Sequence, residues 1–307
     1  MLGLFFAPRV KVFAYHGIVE KKRDPRLERN FTLLSDFREH INFFRRQNVM
    51  SCNELLEHFQ NKKPLKRQGI VITFDDGYAN NLLVADIMAS LRLPWALFVS
   101  TGSCGHENTI WTVELALFLL YGECAGIEIF KKNWFLRNRQ EREMAFQKIR
   151  TEMKSLSFAS QASAMNFLKA QFPEGEKERL LKAFPDFQML SWPEIKQLAD
   201  SGVEIGSHGV YHEIHHANQP LAARQHALKE SKVELEKKLN RICRFFAFPN
   251  GDALKSSPRE LRDSGYQLGF TMQPKCATLN SNPYLLPRLT LTQREFWRLE
   301  KPTRLAF

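Results

Sequence analysis

Residues 70–78 read Ile70-Val71-Ile72-Thr73-Phe74-Asp75-Asp76-Gly77-Tyr78. Five apolar or β-branched residues in a row predict a continuous apolar strand. The run ends in two carboxylates and a glycine. Gly77 lets the backbone turn sharply, so both acidic side chains can stay at the mouth of the sheet. A helical stretch over 82–91 and a further strand over 95–99 follow. This order, strand then polar turn then helix then strand, is the signature of βα units around a parallel sheet or barrel.

Working outward, the same rhythm extends both ways. Residues 10–15 read as a strand, and 35–47 as a helix with Phe37, Ile41 and Phe44 on one face. From 103 to 190 the rhythm breaks into a helical stretch, with an apolar segment over 111–121 and a charged amphipathic one over 140–172. This is expected to be an insertion that covers or extends a groove. The βα pattern then resumes. Ser191 with Glu194 forms a capping box for a helix that Gly202 closes. A strand over 203–206 follows, then a long helix striped by Leu221, Leu228, Leu235, Leu239 and Ile242. Next come a strand over 245–248, a helix opened by Ser257, Pro258 and Glu260 and ended by Gly265, and short strands over 268–271 and 289–291. The whole chain, 1–307, reads as one α/β catalytic domain with a helical insertion at about 103–190.

The chemistry-bearing residues fall just beyond these strands. His16 follows the first; Asp75 and Asp76 follow 70–74; Ser207 and His208 follow 203–206, with His212 four residues on; Pro249, Asn250 and Gly251 follow 245–248. Barrel enzymes build their sites at the C-terminal ends of parallel strands. Adjacent aspartates or a pair of histidines alone would mean little. Two imidazoles and a carboxylate converging at strand ends, however, form a usual zinc set with a position left open for water. His215 and His216, in a polar loop, are expected to be solvated, and Trp111 and Tyr121 to pack in a helical core rather than stack on a sugar.

Composition narrows the class. With 44% hydrophobic and 25% charged residues, the chain has the make-up of a globular protein with ample core. The longest apolar run, 113–121, contains Glu114 and is far short of the roughly 20 residues that span a bilayer, so no transmembrane segment is expected. At the N-terminus Pro8 and Arg9 cut the apolar stretch short, no basic residue precedes it and no small-residue cleavage site follows. A short arm, not a signal peptide, is the expectation. Five widely spaced cysteines without a C-x-x-C suit reduced thiols, pointing to the cytoplasm. The net charge of +11 is spread along the chain with no nucleic-acid motif, so solvated helix faces are expected and nucleic acid is not. Peripheral attraction to an anionic glycan or membrane stays open; no protein partner is inferred.

Three stretches carry a family resemblance. Thr73-Phe74-Asp75-Asp76-Gly77-Tyr78 resembles the first signature of the polysaccharide deacetylase (NodB-homology) family. Glu204-Ile205-Gly206-Ser207-His208-Gly209-Val210-Tyr211-His212 resembles its second, metal-binding signature. Phe246-Ala247-Phe248-Pro249-Asn250-Gly251 resembles the third, one wall of the substrate groove. The resemblance covers most of residues 10–291 outside the insertion. It implies a distorted, incomplete (β/α) barrel and a metal-dependent hydrolase that removes acetyl groups from N-acetylated sugars of a glycan or glycan precursor. Carried over by position, Asp76, His208 and His212 would hold one divalent metal, zinc by its ligand set, with cobalt, nickel or iron as alternatives. Asp75 would be the general base, Phe248, Pro249 and Asn250 would line the groove, and the Asn250 backbone N–H would meet the oxyanion.

The chain also departs from the pattern. No histidine follows His226, where many members place a catalytic one; instead Tyr15-His16 resembles the arrangement of the poly-N-acetylglucosamine deacetylase branch and implies His16 as general acid. Gly209 stands where Ser or Thr is frequent. Ala247 stands where many relatives have an Arg that orients the catalytic Asp, a charge that Arg288, expected with Phe248, Pro249 and Asn250 to line the substrate groove, could bring to the site from elsewhere. Alternatives with the same machinery are an O-acetyl sugar or another non-peptide amide as substrate. A different class is a catalytically dead glycan-binding relative.

Overall fold

The computed structural model describes residues 9–62, 65 and 67–291; the expected N-terminal arm over 1–8 lies outside them. Numbered in chain order, the strands are β1 (Val10–Tyr15), β2 (Ile18–Val19), β3 (Thr32–Leu33), β4 (Asn48–Val49), β5 (Gly69–Phe74), β6 (Ala96–Val99), β7 (Gly126–Ile129), β8 (Lys132–Phe135), β9 (Glu204–Ser207), β10 (Phe245–Ala247) and β11 (Leu268–Phe270). The α-helices are α1 (Leu34–Phe44), α2 (Cys52–Gln60), α3 (Leu82–Ser90), α4 (Trp111–Tyr121), α5 (Arg139–Ser155), α6 (Phe158–Lys169), α7 (Glu176–Ala183), α8 (Trp192–Asp200), α9 (Leu221–Leu239) and α10 (Ser257–Asp263).

Seven strands form one parallel sheet in the order β1-β5-β6-β9-β10-β11, with β4 and β6 sharing one edge of β5. Side chains alternate along each strand, as the pleat requires. Val10, Val12, Val71, Ala96, Phe98, Phe245 and Ala247 belong to the core on the barrel's inner face. Phe13, Tyr15, Ile72, Phe74, Leu97, Val99 and Phe246 pack outward against the helices. The sheet curls until residues 286–289 bridge its two ends. Leu286 pairs with Phe270 of β11 and Leu289 with Phe13 of β1. Four backbone hydrogen bonds of 2.7–2.9 Å make this closure. The fold is therefore the expected α/β half-barrel, a curled and incomplete parallel sheet with a helical insertion. The strand expected over 289–291 is reduced to a single bridge at Leu289.

Caps and faces follow the sequence closely. Phe37, Ile41 and Phe44 are the buried face of α1, and the Ser191–Glu194 capping box opens α8. Along α9, Leu228, Leu235 and Leu239 are buried, but Leu221 and Ile242 are 51% and 66% exposed. Asn240, at φ 52°, ends the helix before Ile242, so the expected stripe stops at Leu239. The insertion builds its own hydrophobic cluster from α4, α5, α6 and α7. It also contains a β7–β8 hairpin that a purely helical reading misses. Phe130 and Lys131 turn it with φ of 56° and 58°, both left-handed, without the Asn-Gly that normally signals such a turn. No described helix is long and apolar enough to cross a membrane.

Candidate metal centre and active site

β5 delivers the paired carboxylates. Residues 71, 73 and 75 keep the inward parity of the strand, so Asp75 enters the barrel mouth from inside. The Asp75 N–H donates to the Tyr15 carbonyl (2.9 Å), prolonging the β1–β5 ladder by one residue. Then Asp76 and Gly77 both take positive φ, 73° and 90°. This turns Asp76 away from the parity of Asp75 and separates the two carboxylates. Gly77 is required twice over, because a Cβ there would also lie 2.9 Å from Val99 Cγ1.

β9 delivers His208, and the loop beyond it returns His212 at φ 59°. Buried Glu213 organises that loop by accepting the N–H groups of Val210 and Tyr211, each at 3.0 Å. This explains Gly209: it has φ 80°, and a Cβ would fall 2.6 Å from Glu213 Oε2. The Gly209 N–H is taken by Ser207 Oγ (3.1 Å). The Trp111 indole N–H donates to the His212 carbonyl (3.2 Å), so the first helix of the insertion pins a ligand-bearing loop.

Asp76, His208 and His212 present one ligand atom each within 4.8 Å of one another, and all three are buried. Asp76 Oδ1 lies 3.3 Å from His208 Nε2 and 3.5 Å from His212 Nε2. The His208 Nδ1–H donates to the Ala247 carbonyl at 2.8 Å, which leaves the Nε2 lone pair facing Asp76. Asp76 Oδ1 has no hydrogen-bond partner although it is buried. A buried, unpartnered carboxylate oxygen between two imidazoles fits a divalent cation, so the three-ligand site is of the kind expected. The electrostatics agree. Burial opposes ionisation of Asp76, but His208 close beside it and the neighbouring His16 and His212 hold its carboxyl well below the usual range. Burial lowers His212 to about 4, keeping its imidazole neutral. For His208 burial acts downward, yet the Asp75 and Asp76 charges raise it: this is a place that favours positive charge.

Asp75 stands outside the ligand trio. Arg288 Nη1 and Nη2 donate to its two oxygens at 2.7 Å each. The same guanidinium donates to Thr73 Oγ1 and the Thr271 carbonyl, both at 3.2 Å, and lies 5.7 Å over the Phe98 ring. Burial would raise the Asp75 carboxyl, but the Arg288 charge, with His208 beside it, holds it below the ordinary carboxylate value. Arg288 thus brings its charge into the barrel interior that it shares with Ala247. It was expected to line the substrate groove and does not, being fully buried on Asp75.

Phe248 also departs from the expected groove wall. It is fully buried between Phe246 and His215, with ring centroids at 5.1 and 5.3 Å, because its position on β10 continues the outward-facing core parity. Pro249 is buried too. Asn250 alone of that trio reaches the site: at φ 58° it lines the crevice, and its Oδ1 accepts Lys154 Nζ at 2.7 Å. His215 is not solvated but packs on those phenylalanines, outside the ligand cluster. His16 shares a crevice of about 610 Å³ with Asp75, His208 and Asn250, and a smaller one of about 170 Å³ with Asp76 and His212. Asn81 holds the His16 carbonyl at 2.8 Å. Thr73, Trp111, Asn81 and Glu213 were missed as supports. Of these only Thr73, inside the first signature, was placed by the sequence near the carboxylates.

A sequence model described as polysaccharide deacetylase matches residues 62–269, a span containing all three signatures. Among solved structures, the chain is similar to the Streptococcus pyogenes deacetylase PplD in complex with acetate. The identity is 14% and the TM-score 0.61, covering 97% of this chain and 100% of that one. It is similar to IcaB from Ammonifex degensii at 15% identity and TM-score 0.59, covering 95% of each chain. It is also similar to a de-N-acetylase from Aggregatibacter actinomycetemcomitans at 14% and 0.56, covering 94% of this chain and 99% of that one. A search of curated protein sequences finds no match. The structural likenesses speak for the fold, and the sequence match, spanning more than half of the chain with its carboxylate pair and both histidines, decides the lineage: the chain belongs to the polysaccharide deacetylase family.

Proposed function

We propose that this protein is a metal-dependent hydrolase that removes the acetyl group from an N-acetylated sugar, N-acetylglucosamine or a close relative, in a glycan or glycan precursor. The observation that carries the reading is the pairing of two differently held carboxylates: Asp76 in a buried trio with His208 and His212, and Asp75 beside it, locked to Arg288. Asp76, His208 and His212 would hold the cation, with zinc favoured by the ligand set. When bound, such an ion lowers the pKa of a water and polarises an acyl oxygen.

The chain's own residues supply the rest. Asp75 is kept ionised by Arg288, and each of its oxygens keeps a second lone pair, so it is ready to accept a proton as water attacks the acyl carbon. Asn250, facing the crevice in a left-handed turn, supplies the backbone N–H for the developing oxyanion. His16, across the crevice from Asp75, gives the proton that the departing amine needs. His16 standing at the end of β1 supports the likeness to the poly-N-acetylglucosamine branch.

The test is acetate release from N-acetylglucosamine oligomers by zinc-loaded protein, beside an O-acetylated control. Asp75→Asn should lower turnover by roughly 10²–10⁴-fold while zinc stays bound. Release from the O-acetylated sugar alone would move the reading to an esterase. Binding of the oligomer without release from either would leave a glycan-binding relative.

A further inference from the structure

The crevice over the metal centre carries positive charge that neither the ligands nor the base uses. Arg150 and Lys154 stand four residues apart on α5, so they project from one face of it. Arg29 arrives from the loop between β2 and β3. All three line the smaller crevice together with Asp76 and His212, and Arg29 also lines the larger one with Asp75 and His208. Lys154 is tied to the site through its bond to Asn250 Oδ1.

Other cations nearby are matched by acid. Arg26 pairs with Asp24 and Glu143, and Arg288 with Asp75. Among the described residues, Arg29, Arg150 and Lys154 form no ion pair with a carboxylate. They crowd one another instead. Burial and then the Arg29 charge lower the pKa of Arg150; burial followed by Arg150 lowers that of Lys154, against the opposing pull of the Asp252 carboxylate. Cations are ordinary in the last turns of a helix, where they meet its negative end. That accounts for Lys154 alone; it does not account for Arg29 converging from a separate loop over the same metal site.

We propose that the crevice takes an N-acylated sugar bearing a phosphate ester at or next to the acylated ring, with Arg29, Arg150 and Lys154 as the groups that read the phosphate. A carboxylate offers a single charge, whereas a phosphate offers more charge and three acceptor oxygens, a better match to two guanidinium forks and an ammonium. The sugar phosphate could be free or linked to a lipid carrier; the recognised chemistry is the same. The assignment rests on the reading above that the site hydrolyses an N-acyl sugar.

Calorimetry on the metal-free protein tests it without relying on turnover. N-acetylglucosamine 1-phosphate should bind at least about tenfold tighter than N-acetylglucosamine at low salt. The advantage should shrink as salt rises from about 50 to about 500 mM and should vanish in Arg150→Gln/Lys154→Gln. Arg29→Gln, at an exposed position, should weaken it in part and guards against misfolding of the double variant. Equal binding of the two sugars by the wild-type protein overturns the proposal, and so does an advantage that ignores both salt and the substitutions. Vesicles carrying a polyprenyl-phosphate-linked N-acetylglucosamine distinguish the source: retention above plain vesicles marks a lipid-linked substrate, while binding of the soluble sugar phosphate alone marks a free one. Acetate release from neutral oligomers is scored separately. Release with equal binding leaves the hydrolase and removes the phosphate site; phosphate-dependent binding without release does the reverse.

Discussion

Arg288 grips both oxygens of Asp75 from 213 residues further along the chain, at 2.7 Å on each side. It belongs to the segment 286–289 that joins β11 to β1, so the residues that close the barrel also hold the proposed base. Folding and chemistry are coupled at one contact. Removing one partner of a buried pair strands the other in a low dielectric, at a cost of about 3–5 kcal/mol. Arg288→Gln should therefore lower stability by that amount in urea unfolding. Arg288→Lys, which restores charge without the two-pronged geometry, should fall between. A second effect of the double variant Asp75→Asn/Arg288→Gln smaller than the sum of its singles would show the coupling. An Arg288→Gln protein within 1 kcal/mol of wild type, roughly the value of an exposed pair, would count against it.

The insertion touches the ligand-bearing loop at His212 itself, where the Trp111 indole donates to the His212 carbonyl at 3.2 Å. Trp111→Phe keeps most of the ring packing and removes that donor. Such a change costs about 1 kcal/mol of stability, but outer contacts of a metal ligand are worth roughly 10–100-fold in affinity. We expect zinc affinity to fall about tenfold with the fold intact, measured by competition with a chromophoric chelator. Unchanged affinity would mean that the loop is held by Glu213 and its neighbours alone.

The legible parts of the sequence were those where one local pattern sufficed. The run 70–74 had to be a strand, and an Asp-Asp-Gly after it had to be a turn; His208 and His212 followed from the same strand-end logic. Parity was the harder signal. Phe248 reads like a groove residue until β10 is given its register, after which it points into the helix-packed core beside Phe246. Arg288 was readable as a charge near the last strand but not as a buried partner, because its partner follows β5, beside β1, and only closure of the sheet onto β1 brings them together. The β7–β8 hairpin escaped because its turn uses Phe130 and Lys131, residues that sterics usually keep from positive φ.

Asp24 supplies a pH prediction away from the metal. It is bound by Arg26 and by the Tyr121 hydroxyl. Burial pushes its carboxyl up, but these hydrogen bonds outweigh it and lower the pKa from 3.8 to about 2. A folded-state pKa below the unfolded value gives stability that is present above the unfolded pKa and is lost as pH falls through the folded one. The stability difference between wild type and Asp24→Asn should thus be level above pH ~4 and shrink toward pH ~2, losing about 1 kcal/mol after allowance for solvent screening. A difference that stays flat down to pH ~2 would show that the pair contributes nothing through charge.

His16 and His212 face the same crevice, yet they are assigned opposite duties, and zinc separates them. A preformed ligand trio binds the cation in the native state only, so zinc at 1,000 times its Kd should raise stability by about 4 kcal/mol and a chelator should remove that gain. His212→Ala deletes a ligand and should abolish the zinc-dependent rise in Tm. His16→Ala deletes no ligand: the rise in Tm should persist while acetate release drops by roughly 10²–10⁴-fold. The two readouts are independent, so each histidine can fail its assignment alone. If His16→Ala also loses the zinc response, the ion is held by a larger set than Asp76, His208 and His212, and the proton for the leaving amine must come from another group in the crevice. If His212→Ala keeps the response, the trio is not the metal centre.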